Sequence, residues 1–300
     1  MIAYDAITRL GSSTIQHGHY NDRIYVMRLA RDDVPAIIRS LDDLAVSEGY
    51  SKIFAKVPDA EKGAFESGGY TTEATVPRYF NGRESALFMA KYYTARRQVM
   101  THGSQIREVI AACGRRTIRR ELLPLPPEIT INGAEFTDAD AIATLYETVF
   151  TTYPFPIFNP DFIHRTMEEQ VRYFCAKRAG EIVAASSCEF DFDSQTVEMT
   201  DFATLPQYRG KGLAYHLLHA MEQEATWEQI PITYTIARAI SHPINSIFSG
   251  SGYEYCGTLV NNTNICGSLE SMNVWFKQLD LPASGETLVE SGEVATEETT

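Results

Sequence analysis

No run of 18 apolar residues occurs anywhere in the chain, and Met1-Ile-Ala-Tyr-Asp-Ala has no basic segment leading into an apolar one. A spanning helix needs about 20 such residues and a secretory leader needs both parts, so the expectation is a cytoplasmic protein without a membrane partner. Cysteines are few and odd in number (Cys113, Cys175, Cys188, Cys256 and Cys266), with no C-x-x-C pair. That argues against a disulfide framework and against structural zinc, and for buried thiols in a reducing compartment. Positive charge is scarce too: 26 Lys and Arg stand against 39 Asp and Glu, a net charge of −13. A non-specific nucleic-acid partner needs a basic surface and is excluded. The pattern Gly-x-x-x-x-Gly-Lys-Ser/Thr is also missing, which argues against nucleotide hydrolysis.

What remains is an ordinary globular composition, 44% hydrophobic and 22% charged, over 300 residues. That length suggests two domains and supports a sizeable core. Residues 281–300 carry five glutamates and no Lys or Arg, the composition of a disordered acidic tail.

The chain is organised around Met199–Glu222. An apolar run that can be a strand breaks at Pro206, passes a loop holding Gly210 and Gly212, and becomes periodic. Leu213, Leu217, Met221 and Ala225 recur every four residues, the stripe of a helix. A strand feeding a glycine-containing loop at a helix start is an anion site. Free helical N–H groups and the macrodipole face the ligand, the glycines let backbone approach it, and Arg209 and Lys211 add charge.

In chain order, two strands flank Gly18–Asp22, and Asp32 or Asp33 can cap a helix ending near Gly49. A strand over 51–57 and a short helix over 59–67 lead to a hairpin over 71–93 around Asn81-Gly82. Residues 94–127, rich in arginine (Arg96, Arg97, Arg107, Arg115, Arg116, Arg119 and Arg120), read as one helix with a solvated basic face and then a linker. The second half starts near Glu128. Thr137 can cap a helix there, the proline-rich and aromatic segment 152–160 follows, and 161–169 read as helical. Strands are expected over 173–178, 181–192, 196–205 and 232–239, then a helix from Pro243 to Gly252 and a final pair over 253–260 and 270–277.

The two halves repeat at a constant offset of 183 residues: Phe65 with Phe248, Gly69 with Gly252, Tyr70 with Tyr253, Ser85 with Ser268, Met89 with Met272 and Tyr93 with Phe276. The first half therefore reads as a degenerate copy of the second, without its loop.

The loop Gln207-Tyr-Arg-Gly-Lys-Gly212 resembles the Q-x-x-G-x-G pyrophosphate-binding motif of the GCN5-related N-acetyltransferase superfamily. Further stretches resemble the β-lysine N-acetyltransferases within it: Thr152–Ile157, Glu198–Pro206, Tyr234–Ala239 and, most specific, Gly257–Lys277. The likeness extends more weakly through the first half, to about 280 residues. It implies an α/β (α+β) fold with a mixed central sheet flanked by helices. Together with the repeat, this gives a degenerate unit with helical linker over 1–127 and a catalytic domain over 128–280. The implied reaction moves the acetyl group of acetyl-CoA to N6 of (3S)-β-lysine, giving a neutral compatible solute, with no metal. On the resemblance, Ala203, Thr204, Leu205, Gln207, Arg209, Gly210, Lys211, Gly212, Leu213, Ala214 and Asn245 hold acetyl-CoA. Glu198 corresponds to the strand glutamate that serves some members as general base, with Asp201 as second catalytic carboxylate. Asp201, three residues on, faces the other way unless the strand bulges. Where superfamily members often carry an acid tyrosine, this chain has Phe248, so no proton donor for the thiolate is named.

A dicationic amino acid wants carboxylates and aromatic faces. Glu189, Asp191, Asp193, Glu198 and Asp201 supply the first, and Tyr153 and Phe155 the second. The amides Asn261, Asn262, Asn264 and Asn273 suit a carboxylate or CoA. Tyr153, Phe155, Glu189, Asn262 and Glu270 form the expected substrate set. Two alternatives stay open: another small amine, such as a polyamine or lysine, or an acyl-CoA sensor without turnover. Oligomerisation is left open too.

Overall fold

A computed structural model describes residues 4–118, 121–169 and 171–282. The first half contains β1 (Ala6–Leu10), β2 (Ser13–Gly18), β3 (Arg23–Arg28), α1 (Ala36–Glu48), β4 (Lys52–Pro58), α2 (Lys62–Ser67), β5 (Thr71–Phe80) and β6 (Glu84–Tyr92). After α3 (Ala95–Gln98) and α4 (Gly103–Gly114) come β7 (Ile129–Gly133), α5 (Ala139–Val149), α6 (Pro160–Glu168), β8 (Val171–Arg178), β9 (Glu181–Asp191) and β10 (Thr196–Thr204). The chain continues through α7 (Leu213–Trp227), β11 (Ile232–Arg238), α8 (His242–Gly250), β12 (Glu254–Ile265) and β13 (Ser268–Gln278). The mixed sheet flanked by helices is the fold expected from sequence.

Among the described residues all strands join one sheet, in the order β1-β2-β3-β4-β6-β5-β12-β13-β11-β10-β9-β8-β7. Read outward from its middle, the sheet repeats itself. Each side begins with a hairpin (β5–β6, β12–β13), continues to an antiparallel strand (β4, β11) and then to a parallel one (β3, β10). The 183-residue repeat has a physical counterpart. Phe65 in α2 meets Tyr70 edge-on with ring centroids 5.0 Å apart, and Phe248 in α8 meets Tyr253 in the same way at 5.0 Å. Both phenylalanines are fully buried, so the repeated residues are those that fasten each short helix to its sheet.

The halves join through β5 and β12, where Gly257 pairs with Ala74. A side chain on Gly257 would stand 2.1 Å from the Glu73 carbonyl oxygen, so glycine is what lets the strands close. At this seam buried Lys52 bonds Glu73 at 2.9 Å and the Val260 carbonyl at 2.8 Å, while Val260 N–H donates to Glu73. A single apolar core includes Tyr25, Phe54 and Phe88 from one half and Tyr146, Tyr234 and Leu259 from the other.

Several local expectations need correction. Residues 94–127 form two helices, not one, because His102 in left-handed conformation separates α3 from α4. The basic face is not uniformly solvated either. Arg97 is 4% exposed and donates to Asn21 O, Ser51 Oγ and Asp22, while Arg119 and Arg120 lie outside the described residues. Asp33 does not cap α1; its carboxylate accepts from Ser12 N–H and Ser13 Oγ. Thr137 gives way to a capping box between Glu135 and Asp138. Short edge strands β1 and β7 escaped the sequence reading. The expected acidic tail lies, from residue 283 on, outside the described residues.

Candidate active site

The site begins where two strands part. β10 and β11 run parallel and pair only from Thr196–Ile232 to Glu198–Tyr234, although β10 continues to Thr204 and β11 to Arg238. Beyond Glu198 the strands splay, and a cavity of about 1240 Å³ opens between them.

At one side of this gap lie Arg209, Gly210 and Gly212, followed by Leu213 and Ala214 of α7, all in the cavity wall with Thr204. Both glycines have φ +78°, a conformation L side chains rarely adopt, and a Cβ on either would meet nothing within 4 Å. Gly212 begins α7 with no side chain capping it, which leaves the first N–H groups directed at the loop. Arg209 is tethered through Nε to the Thr204 carbonyl at 3.2 Å. Open backbone, free N–H donors and a cation fit a pyrophosphate. Gln207, Lys211, Leu205 and buried Ala203 do not reach the wall; Lys211 lies over the Tyr208 ring, 5.2 Å from its centroid.

At the other side are three carboxylates. Glu198 pairs across the sheet with Glu189, and Thr200 with Ser187, but the next pair is Ala203 with Ala185. The extra residue is a bulge in which Asp201 takes φ 58°. A regular strand would send Asp201 to the opposite face; the bulge brings Glu189, Glu198 and Asp201 to one cavity. Asp201 is held by the Tyr153 hydroxyl and by Ser187 Oγ at 2.6 Å. Burial pushes its carboxyl above the usual range against these donors. Burial likewise raises Glu198, partly offset by the Lys56 ammonium and the Tyr234 hydroxyl. Glu189, exposed at the cavity surface but crowded by neighbouring atoms, rises through partial desolvation and the repulsion of the other two carboxylates.

The sequence reading missed the contribution of the first half. Arg23 and Tyr25 on β3 and Phe54 and Lys56 on β4 line the same cavity. Lys56 Nζ lies 3.5 Å from Tyr234 Oη and within 6 Å of the Tyr25, Tyr79 and Tyr234 ring centroids. The signal was available for Lys56, a charge set inside the apolar run Ile53-Phe-Ala-Lys-Val57, but not for Arg23, which follows the polar turn at Asn21-Asp22.

Other expected residues serve elsewhere. Tyr153, Phe155, Asp191 and Asn262 line the cavity, but Glu270 and Asn245 do not. Glu270 is committed to Arg238 through bonds of 2.9 and 2.6 Å, and only Arg238 reaches the wall. Asn245 is fully buried. Its amide donates to Arg238 O and Ser241 O, and its oxygen accepts from Asn273 and Trp275, which leaves no capacity for a ligand. Asn273 is thereby also spent, Asn261 donates to Arg97 O and Val99 O, and Asn264 to Tyr20 O. Asp193 pairs with Arg28 across the halves. Phe248 is buried against Phe202 and Tyr253, whereas the phenols in the wall near the loop are Tyr208 and Tyr215.

Splayed parallel strands with a glycine loop and helix start at the gap define an acetyltransferase site, and the acetyltransferase (GNAT) family profile matches residues 139–237. The chain is similar to the β-lysine N(6)-acetyltransferase of Methanococcus maripaludis, 39% identical over 91% of this chain and 98% of that one. It is also similar to the β-lysine N(6)-acetyltransferase of Methanosarcina mazei, 32% identical over 81% and 97%. Among solved structures, the ribosomal-protein-S18-alanine N-acetyltransferase of Escherichia coli aligns with TM-score 0.46 and 15% identity, covering 53% of this chain and 99% of its own. The chain belongs to the β-lysine N-acetyltransferase family of the GNAT superfamily. It is an acetyl-CoA-dependent N-acetyltransferase. Among the described residues no cluster of ligands could hold a metal ion, and no helix is long and apolar enough to cross a membrane.

Proposed function

We propose that the chain acetylates N6 of (3S)-β-lysine in its second half, residues 128–280, with residues 1–127 as a cofactor-free half that helps wall the site. The observation that carries this reading is the convergence of Glu198, Asp201 and Glu189 on the gap beside the glycine loop, in a chain whose relatives bear that name.

Acetyl-CoA, when bound, supplies an acetyl thioester open to nucleophilic attack. Gly210, Gly212 and the start of α7 hold its pyrophosphate, with Arg209 beside them. The β10 backbone beyond Glu198, no longer paired with β11, offers N–H groups to the thioester oxygen. Glu189 and Asp201 attract the distal ammonium. An alkylammonium near pKa 10.4 must lose a proton before attack, and Glu198 accepts it, its raised pKa making it a better base than an exposed glutamate. The product keeps one ammonium and one carboxylate, the net-neutral state suited to a compatible solute.

Release of CoA thiol should be followed over β-lysine, lysine, diamines and polyamines, with the acetylated nitrogen located by NMR. β-Lysine should give the highest kcat/KM, acetylated at N6. A polyamine ranking first would overturn the substrate, and cofactor binding without thiol release for any amine would make the protein a sensor.

A further inference from the structure

Arg23 is a buried cation to which the acetyl-transfer chemistry assigns no task. It is 3% exposed, yet it lines the cavity. Its Nη1 donates to the Asn262 carbonyl at 2.6 Å and to Thr263 Oγ1 at 3.3 Å. Among the described residues Nη2 makes no hydrogen bond and no carboxylate lies within ion-pair distance. Asp5, the acid that acts on it from further off, is already bound by the Tyr20 and Asn21 backbone N–H groups and the Asn21 amide. Arg23 Nε and Asn262 Oδ1 are buried without partners. Burial lowers the guanidinium pKa to about 10, so it remains charged at neutral pH.

An unpaired buried charge is costly, and Nη2, which is unbonded and is not one of the fully enclosed atoms, is the guanidinium nitrogen left to a ligand in the cavity. Arg23 stands over the Tyr25 ring at 5.2 Å, and Lys56 lies 5.7 Å from the centroid of the same ring. Lys56 in turn reaches Tyr234, the strand neighbour of Glu198. The cavity therefore carries charge at two places in a largely apolar wall: carboxylates at the strand gap, and beyond Lys56 a guanidinium with a donor to spare. A polyamine would meet cations with nothing to offer them. An amino acid with a distal amine would match both ends.

We propose that Arg23, delivered by the cofactor-free half, receives the carboxylate of the amino-acid substrate and sets selectivity for amino acids over diamines. The inference rests on the proposed β-lysine reading. The test compares β-lysine with 1,4-diaminopentane, the same molecule without its carboxylate, using wild type, Arg23→Gln and Arg23→Lys. Wild type should prefer β-lysine by roughly 100-fold or more in kcat/KM, the scale of a lost charged hydrogen-bonded contact. Arg23→Gln should lose most of that preference through β-lysine KM, with diamine turnover and acetyl-CoA KM little changed, and Arg23→Lys should keep part of it. Equal losses on both substrates would show a structural role and overturn the proposal. So would a wild type that takes the diamine as readily as β-lysine, a measurement that needs no variant to fold. If instead wild type does not acetylate β-lysine at all, the functional reading fails first.

Discussion

Of the three crowded carboxylates, Glu198 is the one with the cleanest consequence. Glu198→Gln keeps size and hydrogen bonding but removes the proposed base, a change that typically costs about 10²–10⁴-fold. The loss should fall on kcat, with acetyl-CoA KM near wild type, since the loop is separate from the carboxylates. In wild type the acid limb of kcat should lie above the ordinary glutamate range, because burial raises this pKa, and the variant should lack it. A rise in amine KM with kcat intact would reassign Glu198 to binding. The same shift has a stability consequence. A carboxyl whose folded pKa exceeds its unfolded value stabilises the fold at low pH, and that contribution is lost as pH rises through the folded pKa. Glu198→Gln should therefore melt higher than wild type at pH 8, with the difference shrinking as pH falls; thermal melts across that range decide. Lys56 opposes the rise, so Lys56→Met should move the acid limb of kcat to still higher pH, while an unmoved limb would detach Lys56 from the site. At this scale the sequence was only partly legible. Glu198 was expected from the superfamily resemblance, and it lines the cavity. Glu270 and Asn245 could not be judged, because Arg238 and Trp275, which consume them, are distant in sequence.

Among the elements, the loop and helix start of α7 were the most legible feature, since periodicity and two glycines declare them locally. Gly212→Val would force a β-branched residue to φ +78° and place a side chain in the open cradle. Acetyl-CoA KM should rise roughly tenfold or more, read by initial rates on a variant shown to be folded by circular dichroism. An unchanged cofactor KM would remove the loop from the site. The bulge at Asp201 was not legible, because two-residue alternation gives no sign of where a register slips; only the pairing with β9 shows it. The break between α3 and α4 was missed for a similar reason. Arginine-rich sequence suits a helix, and nothing local announces that Arg97 is anchored by Asn21 and Ser51.

At the scale of the molecule, the repeat was legible in sequence but the continuity of the sheet was not, since β5 and β12 meet at a single pair across a glycine. The first half has its own parallel strand and helix, β3 and α1, where the loop would sit. The connection between them carries Asp32 and Asp33 and no glycine, and α1 starts from Pro35. Acidic side chains at that helix start repel a pyrophosphate, so calorimetry should find one acetyl-CoA site per chain. Two sites would show that the first half has kept cofactor binding.

The seam between equivalent strands is the contact that two identical subunits would make about a twofold axis. In such a dimer every substitution appears twice, so a cation helpful beside one active site would also have to be tolerated beside the other. Joining the two units in one chain lifts that constraint. Arg23 and Lys56 can face the working site without any counterpart opposite, and a loop that held a cofactor on one side can turn acidic on the other. The single sheet thus permits a division of labour that symmetry forbids.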